Sequence, residues 1–403
     1  MRAEGWRVWL RIAQVCPYSL TRPGGVQGQV VGISEALISL GHDVEIIAPS
    51  DGLPVGVMPI EISERVIPVG RSLPVPANGS VAPLALTPAS LFRAQRALSA
   101  GRYDVVHVHE PLAPGPGFVA LLGRAAPMVW TFHRSGRGAA YLLFGRAIRP
   151  LLPRGVRRCA VSDAARLTAE DVIGGSCEVL FNGVDVERLA HVEPISDGRP
   201  VVCFVGRHEQ RKGLATLLEA FSLLEQYPEM REVDGGVKGN GAYSRGLVRD
   251  HGPRLWVIGQ GPQTIALRRR WATAANVEWL GALNREDLAS RLAGADVLCA
   301  PSLHGESFGV ILLEAMATRT VVVASDITGY REVVKDLGVL VPPGDAEALA
   351  ATLSAVLADV SMHKGAASEE RLDAATVYAG EHSFMALAQR YVKIYSELPS
   401  SRG

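Results

Sequence analysis

The chain has 403 residues, of which 48% are hydrophobic and 20% charged, and its 41 basic side chains balance 41 acidic ones. This length and composition predict a large cytoplasmic α/β protein with two domains and exclude a disordered or fibrous chain. The zero net charge gives no sign of a nucleic-acid partner, and no apolar run reaches the roughly 18 residues that would span a bilayer.

The five cysteines are scattered along the chain without a C-x-x-C pair. They therefore predict reduced thiols in the core and indicate neither a disulfide framework nor a metal site. The first eleven residues contain one glutamate and three arginines, so they lack the apolar stretch of a signal peptide.

The first half begins with βαβ spacing. Residues 11–16 predict a strand, 28–40 a helix that ends at Gly41, and 44–48 a second strand. Between the first strand and the helix lie the adjacent glycines Gly24 and Gly25, which would let the backbone approach a phosphate. Two adjacent glycines also mark ordinary turns, so this pattern alone leaves both interpretations open.

Two further predicted strands, residues 103–110 and 129–133, carry polar residues at their carboxyl ends. Between and around them, residues 111–162 contain eight arginines and no acidic residue. This basic region, interleaved with aromatic and leucine side chains, could lie on an anionic membrane surface. Arginines on a solvated helix face would give the same composition.

The second half opens with a cationic turn. Residues 201–205 predict a buried strand and 214–224 an amphipathic helix, so Arg207 and Lys212 would lie on the connection between them. Ligands of open α/β sheets bind at the carboxyl ends of the strands, where such cations suit a departing diphosphate. A solvated basic turn is the simpler alternative.

A Gly-Gln-Gly segment follows the predicted strand 255–258. It resembles a truncated dinucleotide fingerprint, but the third glycine is missing and no acidic partner is evident, which argues against a nicotinamide dehydrogenase. The polar, glycine-rich stretch near 231–252 looks like an inserted surface loop and has no functional interpretation.

The most informative segment follows the predicted strand 297–301. Glu306 would lie at the entrance of a helix over 310–317, and Glu314 about one and a half turns inside it. A carboxylate at each place can accept hydrogen bonds from paired hydroxyl groups, while free N–H groups near Phe308 and Gly309 face anionic oxygens. The two glutamates therefore predict a sugar-nucleotide site. The alternative is a polar loop followed by a helix with one solvated glutamate, which would form no such site.

These segments, with four others, resemble the retaining glycosyltransferases of family 4. The four are Cys-Pro-Tyr-Ser at 16–19 with Gly-Gly-Val at 24–26, Asn-Gly-Ser-Val-Ala at 78–82, His-Val-His-Glu-Pro at 107–111 and Thr-Phe-His at 131–133. The first and second of these are similar to the branch formed by the actinobacterial phosphatidylinositol α-mannosyltransferases. The resemblance covers nearly the whole chain.

The resemblance implies a GT-B fold, in which two Rossmann-like, doubly wound α/β domains face each other across a cleft. The acceptor domain would comprise residues 1–188 and the nucleotide-sugar domain 189–380, with a helix in 381–403 returning to the first domain. It implies that mannose passes from GDP-mannose to the 2-position of the inositol ring of phosphatidylinositol with retention of configuration. The enzyme would act as a peripheral protein on the anionic inner face of the plasma membrane.

On the donor side, the resemblance implies that Arg207 and Lys212 neutralise the diphosphate, which Gly25 also meets. Glu306 would hold the mannose hydroxyls and Glu314 the ribose. The remaining donor-site residues would be Gly259, Gly261, Ser307, Phe308 and Gly309. No Asp-x-Asp triplet occurs in the chain, which fits a transferase with no protein-bound metal and no tightly bound cofactor.

On the acceptor side, the implied residues are Tyr18, Gln27, Asn78, Ser80 and His133. His133 would lie close to the reacting sugar and is assigned to the catalytic set with Arg207, Lys212 and Glu306. A general-base role for His133 is not required, because the departing phosphate can take the acceptor proton in a front-face mechanism. A structural role for His133 at the end of its strand is the alternative.

One departure from the family pattern concerns the membrane. The helix after Pro88 carries only Arg93 and Arg96, where the membrane-bound relatives have a dense basic cluster. Two other functions therefore stay open. One is a related transferase with another donor or a soluble acceptor, such as N-acetylglucosamine transfer from a UDP-sugar to inositol phosphate. The other is a non-catalytic protein that binds a sugar nucleotide or a lipid.

Overall fold

The computed structural model describes residues 9–22, 24–52, 58–77, 80–123, 126–136, 139–152, 155–196, 198–224 and 252–399. The chain divides into two compact units. The first comprises Met1–Gly183 and His382–Gly403, and the second comprises Val184–Glu381. Asn78 and most of the glycine-rich stretch near 231–252 lie outside the described residues.

The first unit alternates strands and helices. Its strands are β1 (Arg11–Val15), β2 (Asp43–Ala48), β3 (Val66–Pro68), β4 (Leu73–Ala77), β5 (Ser80–Leu84), β6 (Val105–His109), β7 (Met128–Phe132), β8 (Arg157–Ala160) and β9 (Glu178–Val179). Its helices are α1 (Gly25–Ser39), α2 (Ile60–Ser63), α3 (Pro88–Ala100), α4 (Pro116–Gly123), α5 (Ala139–Ile148), α6 (Asp163–Ile173) and, from the end of the chain, α15 (Phe384–Ser396), with a short 3-10 helix at Arg149–Leu151.

Among the described residues of this unit, seven strands form one parallel sheet in the order β3-β2-β1-β6-β7-β8-β9, and β4 and β5 form a separate antiparallel hairpin. The strand order reverses between β1 and β6, which pair with each other in parallel. At such a reversal the connections leave toward opposite faces and open a crevice beyond the carboxyl ends of the strands. The loops after β1 and β6 are therefore placed to bind a ligand.

The sheet of the first unit is buried on both faces. Ile12 of β1 belongs to a core shared with α1 and α15, whereas Ala13 and Val15 belong to a core shared with α3, α4 and α6. This division follows from the alternation of side chains along a strand. Helix α15 packs against α1, and the ring of Phe384 occupies the space that a side chain at Gly32 or Gly183 would need.

The second unit has the same architecture. Its strands are β10 (Val201–Val205), β11 (Arg254–Ile258), β12 (Val277–Gly281), β13 (Val297–Ala300), β14 (Val321–Ser325) and β15 (Val339–Val341). Its helices are α7 (Val186–Ala190), α8 (Leu214–Leu223), α9 (Thr264–Arg270), α10 (Arg285–Gly294), α11 (Val310–Ala317), α12 (Thr328–Val334), α13 (Ala346–Met362) and α14 (Glu369–Glu381), with 3-10 helices at Gln210–Lys212 and Gly365–Ala367.

The six described strands of the second unit form a parallel sheet in the order β12-β11-β10-β13-β14-β15. Its order reverses between β10 and β13, so the loops after these two strands border the crevice of this unit. These loops carry the cationic turn and Glu306, and the second of them leads into α11, which carries Glu314.

The described elements follow the sequence predictions closely in the buried strands, and differ at the start of α1. This helix begins at Gly25 rather than at Gly28, with Gly24 as its N-cap residue in extended conformation. Three glycines in fifteen residues give a low helix propensity, and packing of this helix on the sheet overrides it. Gly24 is thus the N-cap residue and Gly25 the first residue of the helix, instead of both lying in a loop that precedes it. All five cysteines are free and buried.

Candidate functional site

The crevice of the first unit is bordered by the start of α1. Gly24 offers no side-chain cap, and the first intrahelical bond is donated by the N–H of Gly28 to the carbonyl of Gly24. The N–H groups before Gly28 are therefore available to an anion, and the helix dipole favours negative charge there. Apart from the chain neighbours and the backbone of the helix itself, no atom of the described residues lies within 4 Å of the position of a Cβ at Gly25, so this helix end has space for a ligand. The position suits the diphosphate contact expected of Gly25.

Gln27 holds the loop that leads into α1. Its Nε2 donates to the carbonyls of Ser19 at 3.3 Å and Arg22 at 3.2 Å, and its Oε1 lies against Gly24. A Cβ at Gly24 would collide with this amide, which explains a glycine there. Gln27 thus shapes the entrance of the crevice, whether or not it also contacts an acceptor.

Glu110 and His133 meet at the carboxyl ends of β6 and β7. Oε2 of Glu110 accepts hydrogen bonds from the backbone N–H of His133 at 2.9 Å and of Arg134 at 3.0 Å, and Oε1 accepts from Tyr141 Oη at 2.9 Å. Burial raises the pKa of Glu110, although these hydrogen bonds oppose the shift. Glu110 also has a φ of +48°, a left-handed conformation that is rare for this residue type.

His133 is 8% exposed, and burial lowers its pKa to about 3. It is therefore neutral near pH 7. Its Nε2 lies 3.0 Å from Nδ1 of His109, whose Nε2 lies 2.8 Å from Oε1 of Gln14. Tyr18 lies close enough to Glu110 for the carboxylate charge to contribute to its raised pKa, which is mainly due to burial. The structure thus brings Tyr18, Glu110 and His133 into one region.

The remaining acceptor-side predictions fall on the β4–β5 hairpin. Ser80 begins β5 and pairs with Ala77 of β4, while Asn78, in the turn, lies outside the described residues. Tyr18 forms an antiparallel bridge with Leu84 at the other end of β5. The hairpin is therefore attached to the loop after β1.

In the second unit, the predicted cations and Glu306 form one charged cluster. Oε1 of Glu306 lies 2.6 Å from Nη1 of Arg211 and 2.8 Å from Nζ of Lys212. Glu209 is only 4% exposed in its side chain and lies 3.2 Å from Arg207 and 3.1 Å from Arg211. The cluster therefore contains three cations and two carboxylates, and an incoming diphosphate would compete with the carboxylates for the cations.

Glycines hold the loops of this cluster together. Leu303 donates its N–H to the carbonyl of Arg211 at 2.7 Å, and a Cβ at Gly213 would collide with the carbonyl of Pro301. Gly213 has a φ of +68°, so both its conformation and the lack of space favour glycine. The loop after β10 thus contacts the loop after β13. Arg211 and Lys212 of the first loop therefore reach Glu306 of the second.

Gly259 and Gly261 lie against the cationic turn. A Cβ at Gly259 would collide with the carbonyl of Gly206, and one at Gly261 would lie 2.6 Å from the backbone nitrogen of His208. His208 donates its N–H to the carbonyl of Gln260 at 3.3 Å. The structure thus gives these glycines a packing role in the donor-site region.

The start of α11 carries the rest of the donor-site prediction. Gly309 is its N-cap residue, with a φ of +87°, and offers no side-chain cap, so N–H groups of the first turn remain available to an anion. Phe308 is buried, and Ser307 next to it is partly buried. These positions fit backbone contacts to a ligand at this helix end.

Glu314 lies within α11, away from the charged cluster around Glu306. Burial raises its pKa, and the charges of Arg188 and Arg285 oppose this shift. No hydrogen bond from the described residues reaches its carboxylate. Glu314 is partly buried, and a carboxylate without hydrogen bonds can accept them from paired hydroxyl groups, as expected for a ribose contact.

Three residues of these sites were missed by the sequence analysis: Glu110, Glu209 and Arg211. The sequence signal for Glu110 was its place directly after a buried strand, next to the two histidines. Arg211 and Glu209 lie in the predicted cationic turn, but their roles depend on contacts with Glu306, which is 95 residues away from Arg211. Within the described ranges, no three His, Cys, Asp or Glu side chains are grouped to hold a metal ion.

Known protein families match both units. The family described as Glycosyltransferase Family 4 matches residues 23–188, and the one described as Glycosyl transferases group 1 matches residues 185–372. A phosphatidyl-myo-inositol mannosyltransferase of Mycolicibacterium smegmatis is 35% identical over 365 residues, which cover 88% of this chain and 87% of the relative.

Two more distant proteins extend the comparison. A D-inositol 3-phosphate glycosyltransferase of Kribbella flavida is 28% identical and is matched over 83% of each chain. The crystal structure of a glycosyltransferase from Rickettsia africae superposes with a TM-score of 0.70 at 19% identity, covering 97% of this chain and 98% of the other. With the two parallel sheets, this likeness to glycosyltransferase structures identifies the fold as GT-B.

Proposed function

The chain belongs to the family 4 glycosyltransferases with the GT-B fold, and we propose that it transfers mannose from GDP-mannose to the inositol ring of phosphatidylinositol. The observation that carries this proposal is the relative named phosphatidyl-myo-inositol mannosyltransferase, which matches most of both chains. We further propose that transfer occurs to the 2-position with retention of configuration. We also propose that the acceptor domain comprises about residues 1–188 together with the returning helix in 381–403, and that the donor domain comprises about residues 189–380.

The charged cluster of the second unit supports the donor assignment. Arg207, Arg211 and Lys212 would neutralise the diphosphate as GDP leaves, so no protein-bound metal or tightly bound cofactor is needed. Glu306, released from these cations by the diphosphate, would accept hydrogen bonds from the mannose hydroxyls. Glu314 would accept them from the ribose.

The acceptor assignment rests on the first unit. Tyr18, Gln27, Ser80 and His133 lie on segments that border its crevice, and we propose that they contact the inositol headgroup together with Asn78. No helix in the described part of the chain is long and apolar enough to cross a membrane. We propose peripheral binding to the anionic inner leaflet of the plasma membrane.

The decisive experiment offers radiolabelled GDP-mannose to the full-length protein with phosphatidylinositol in anionic liposomes. UDP-N-acetylglucosamine with soluble inositol 3-phosphate is the parallel arm. Labelled lipid from GDP-mannose is the expected result, and NMR of the product gives the linkage position and the anomeric configuration. Label only in the soluble product would move the function to the inositol phosphate branch, and no transfer from either donor would favour a binding protein.

A matched pair of variants ties the activity to the cluster. Glu306→Ala removes two close ionic contacts and the proposed sugar contacts, worth about 3 kcal/mol, so kcat/KM should fall by roughly a hundred-fold. Glu193→Ala changes an exposed glutamate of the same unit and should leave kcat/KM unchanged. Near-normal turnover of Glu306→Ala would contradict the donor-site assignment.

A further inference from the structure

A chain of buried hydrogen bonds leads from His133 into the core of the first unit. Its Nε2 lies 3.0 Å from His109 Nδ1, and His109 Nε2 lies 2.8 Å from Gln14 Oε1. Gln14 and His109 are fully buried, so solvent cannot replace either partner. The protons in this chain must therefore be distributed so that each contact has one donor and one acceptor.

The amide oxygen of Gln14 determines that distribution. A carboxamide oxygen only accepts hydrogen bonds, so Nε2 of His109 carries the proton. A neutral imidazole has a single N–H, so Nδ1 of His109 is a bare acceptor. His133 must then donate from its Nε2, which leaves its own Nδ1 without a proton.

The neutral state of both rings follows from their surroundings. Burial lowers the pKa of His133 to about 3 and lowers that of His109 well below its usual range. The amide nitrogen of Gln14 is buried and has no hydrogen-bond partner among the described residues, and the amide lowers the pKa of Tyr395 against a larger rise due to burial. The contact that orients the amide is the one at 2.8 Å between its oxygen and Nε2 of His109.

The other nitrogen of His133 is free. Within the described residues, no hydrogen bond is made to its Nδ1. This atom is also not fully buried, so a ligand can reach it. The backbone N–H of His133 is bound to Glu110, which fixes the residue at the end of β7. The residue is therefore held at two points, by its backbone N–H and by Nε2 of its ring, and the ring presents one bare nitrogen.

We propose that His109 and Gln14 are positioning residues that hold His133 in the tautomer protonated on Nε2, so that its Nδ1 accepts a hydrogen bond from a substrate hydroxyl. A phosphate or carboxylate oxygen has no proton to donate and would be repelled by this lone pair. The group facing His133 is thus a sugar or inositol hydroxyl. The identity of the hydroxyl rests on the proposed function, whereas the tautomer does not.

The tautomer is measured directly in the full-length protein labelled with ¹⁵N-histidine. Long-range ¹H–¹⁵N spectra distinguish protonated from bare ring nitrogens, and the His133→Asn variant identifies the His133 signals by their loss. We expect a proton on Nε2 of His133 and a bare Nδ1. A proton on Nδ1, or on both nitrogens, would overturn the proposal whatever the enzyme transfers.

The Gln14→Met variant tests the relay, because Gln14 is linked to His133 only through His109 in this chain of bonds. Without the amide oxygen, the proton of His109 can move from Nε2 to Nδ1. The N–H at Nδ1 can then donate a hydrogen bond to Nε2 of His133. A second set of His133 signals with a protonated Nδ1 should appear, and kcat should fall about ten-fold while the donor KM changes less than about two-fold. An unchanged His133 spectrum would remove Gln14 from the relay.

A pair of substitutions at His109 keeps the test decisive if Gln14→Met fails to fold. His109→Leu removes the acceptor for His133 and should lower kcat by about ten-fold, since a misoriented group loses much of its effect. His109→Asn supplies an oxygen near the position of Nδ1 and should restore most of kcat and the single tautomer. Equal kcat for both variants would show that His109 only fills space.

Discussion

Arg211 connects the two carboxylates of the charged cluster, although the sequence did not mark it as a site residue. Its guanidinium links Glu209 to Glu306, while Lys212 reaches the same oxygen of Glu306. Two cations on one carboxylate oxygen hold the carboxylate in place and keep both cations in reach of a diphosphate. Charge-assisted contacts of this kind contribute more than neutral hydrogen bonds.

Replacing Arg211 by Ala should therefore lower kcat/KM for the donor about ten- to a hundred-fold, as expected for the loss of roughly 1.5–3 kcal/mol from a charge-assisted contact. Steady-state kinetics with varied sugar nucleotide measures this effect. Arg319→Ala is the control, because Arg319 pairs with Glu369 and Asp373 on the exposed surface of the same unit. A value for Arg211→Ala within two-fold of wild type would show that Lys212 alone controls Glu306.

At the scale of elements, the buried strands and the helix around Glu314 could be predicted from the sequence. β10 and α11 have the predicted bounds because a short apolar run between turn residues admits few other structures. The start of α1 was misplaced because glycines at its N-terminus hide a helix that packing stabilises. The position of Glu110 beside His133 could not be predicted, because it depends on the pairing of β6 with β7.

The arginines of the basic region around α5 differ in whether they contact other groups of the protein. Arg157 lies 2.8 Å from Glu397, and Arg158 donates to the carbonyl of Gly174 and lies over the ring of Trp130. These two cations are engaged within the protein. Leu143 and Arg146, one helical turn apart on α5, are 74% and 63% exposed, and Nη2 of Arg146 also lies 3.9 Å from Oδ1 of Asp171. They are the described residues of this region best placed to meet a membrane surface.

The double substitution Leu143→Ser and Arg146→Ser should therefore weaken binding to anionic vesicles. Losing one cation and one apolar side chain at the surface removes about 2–3 kcal/mol, which corresponds to roughly a 30- to 150-fold loss of affinity. Vesicle sedimentation at low and high salt measures the loss, and the arginine part should shrink as salt rises.

Ile265→Ser with Arg268→Ser is the control for this pair, because α9 of the second unit carries an exposed isoleucine and an arginine at the same spacing. Vesicle affinity should stay at the wild-type level in this variant. An equal loss of affinity in both double variants would mean that α5 has no special role at the membrane.

At the scale of the whole molecule, the histidine cluster links stability to pH. Burial lowers the pKa of His107 and of His133 to about 3, compared with an ordinary value of 6.5. Below pH 6.5 the unfolded chain binds protons that the folded chain does not bind, so the free energy of unfolding falls as the pH falls. Glu110, whose pKa is raised by burial, acts in the opposite direction above its unfolded pKa and reduces the slope.

We therefore expect His107 and His133 to lower the stability of the first unit by about 4 kcal/mol between pH 7 and pH 5, since two groups at about 1.4 kcal/mol per pKa unit act together, and His109 adds to this loss. Hydrogen exchange of the β6 and β7 amides under denaturant reports on this unit. His109→Asn removes a third buried histidine, whose pKa is also strongly lowered, and should make the pH dependence shallower. The exposed His191→Asn should leave it unchanged. Equal stability at pH 7 and pH 5 would mean that the folded chain takes up these protons as readily as the unfolded chain, and the neutral tautomer of His133 could not then be maintained.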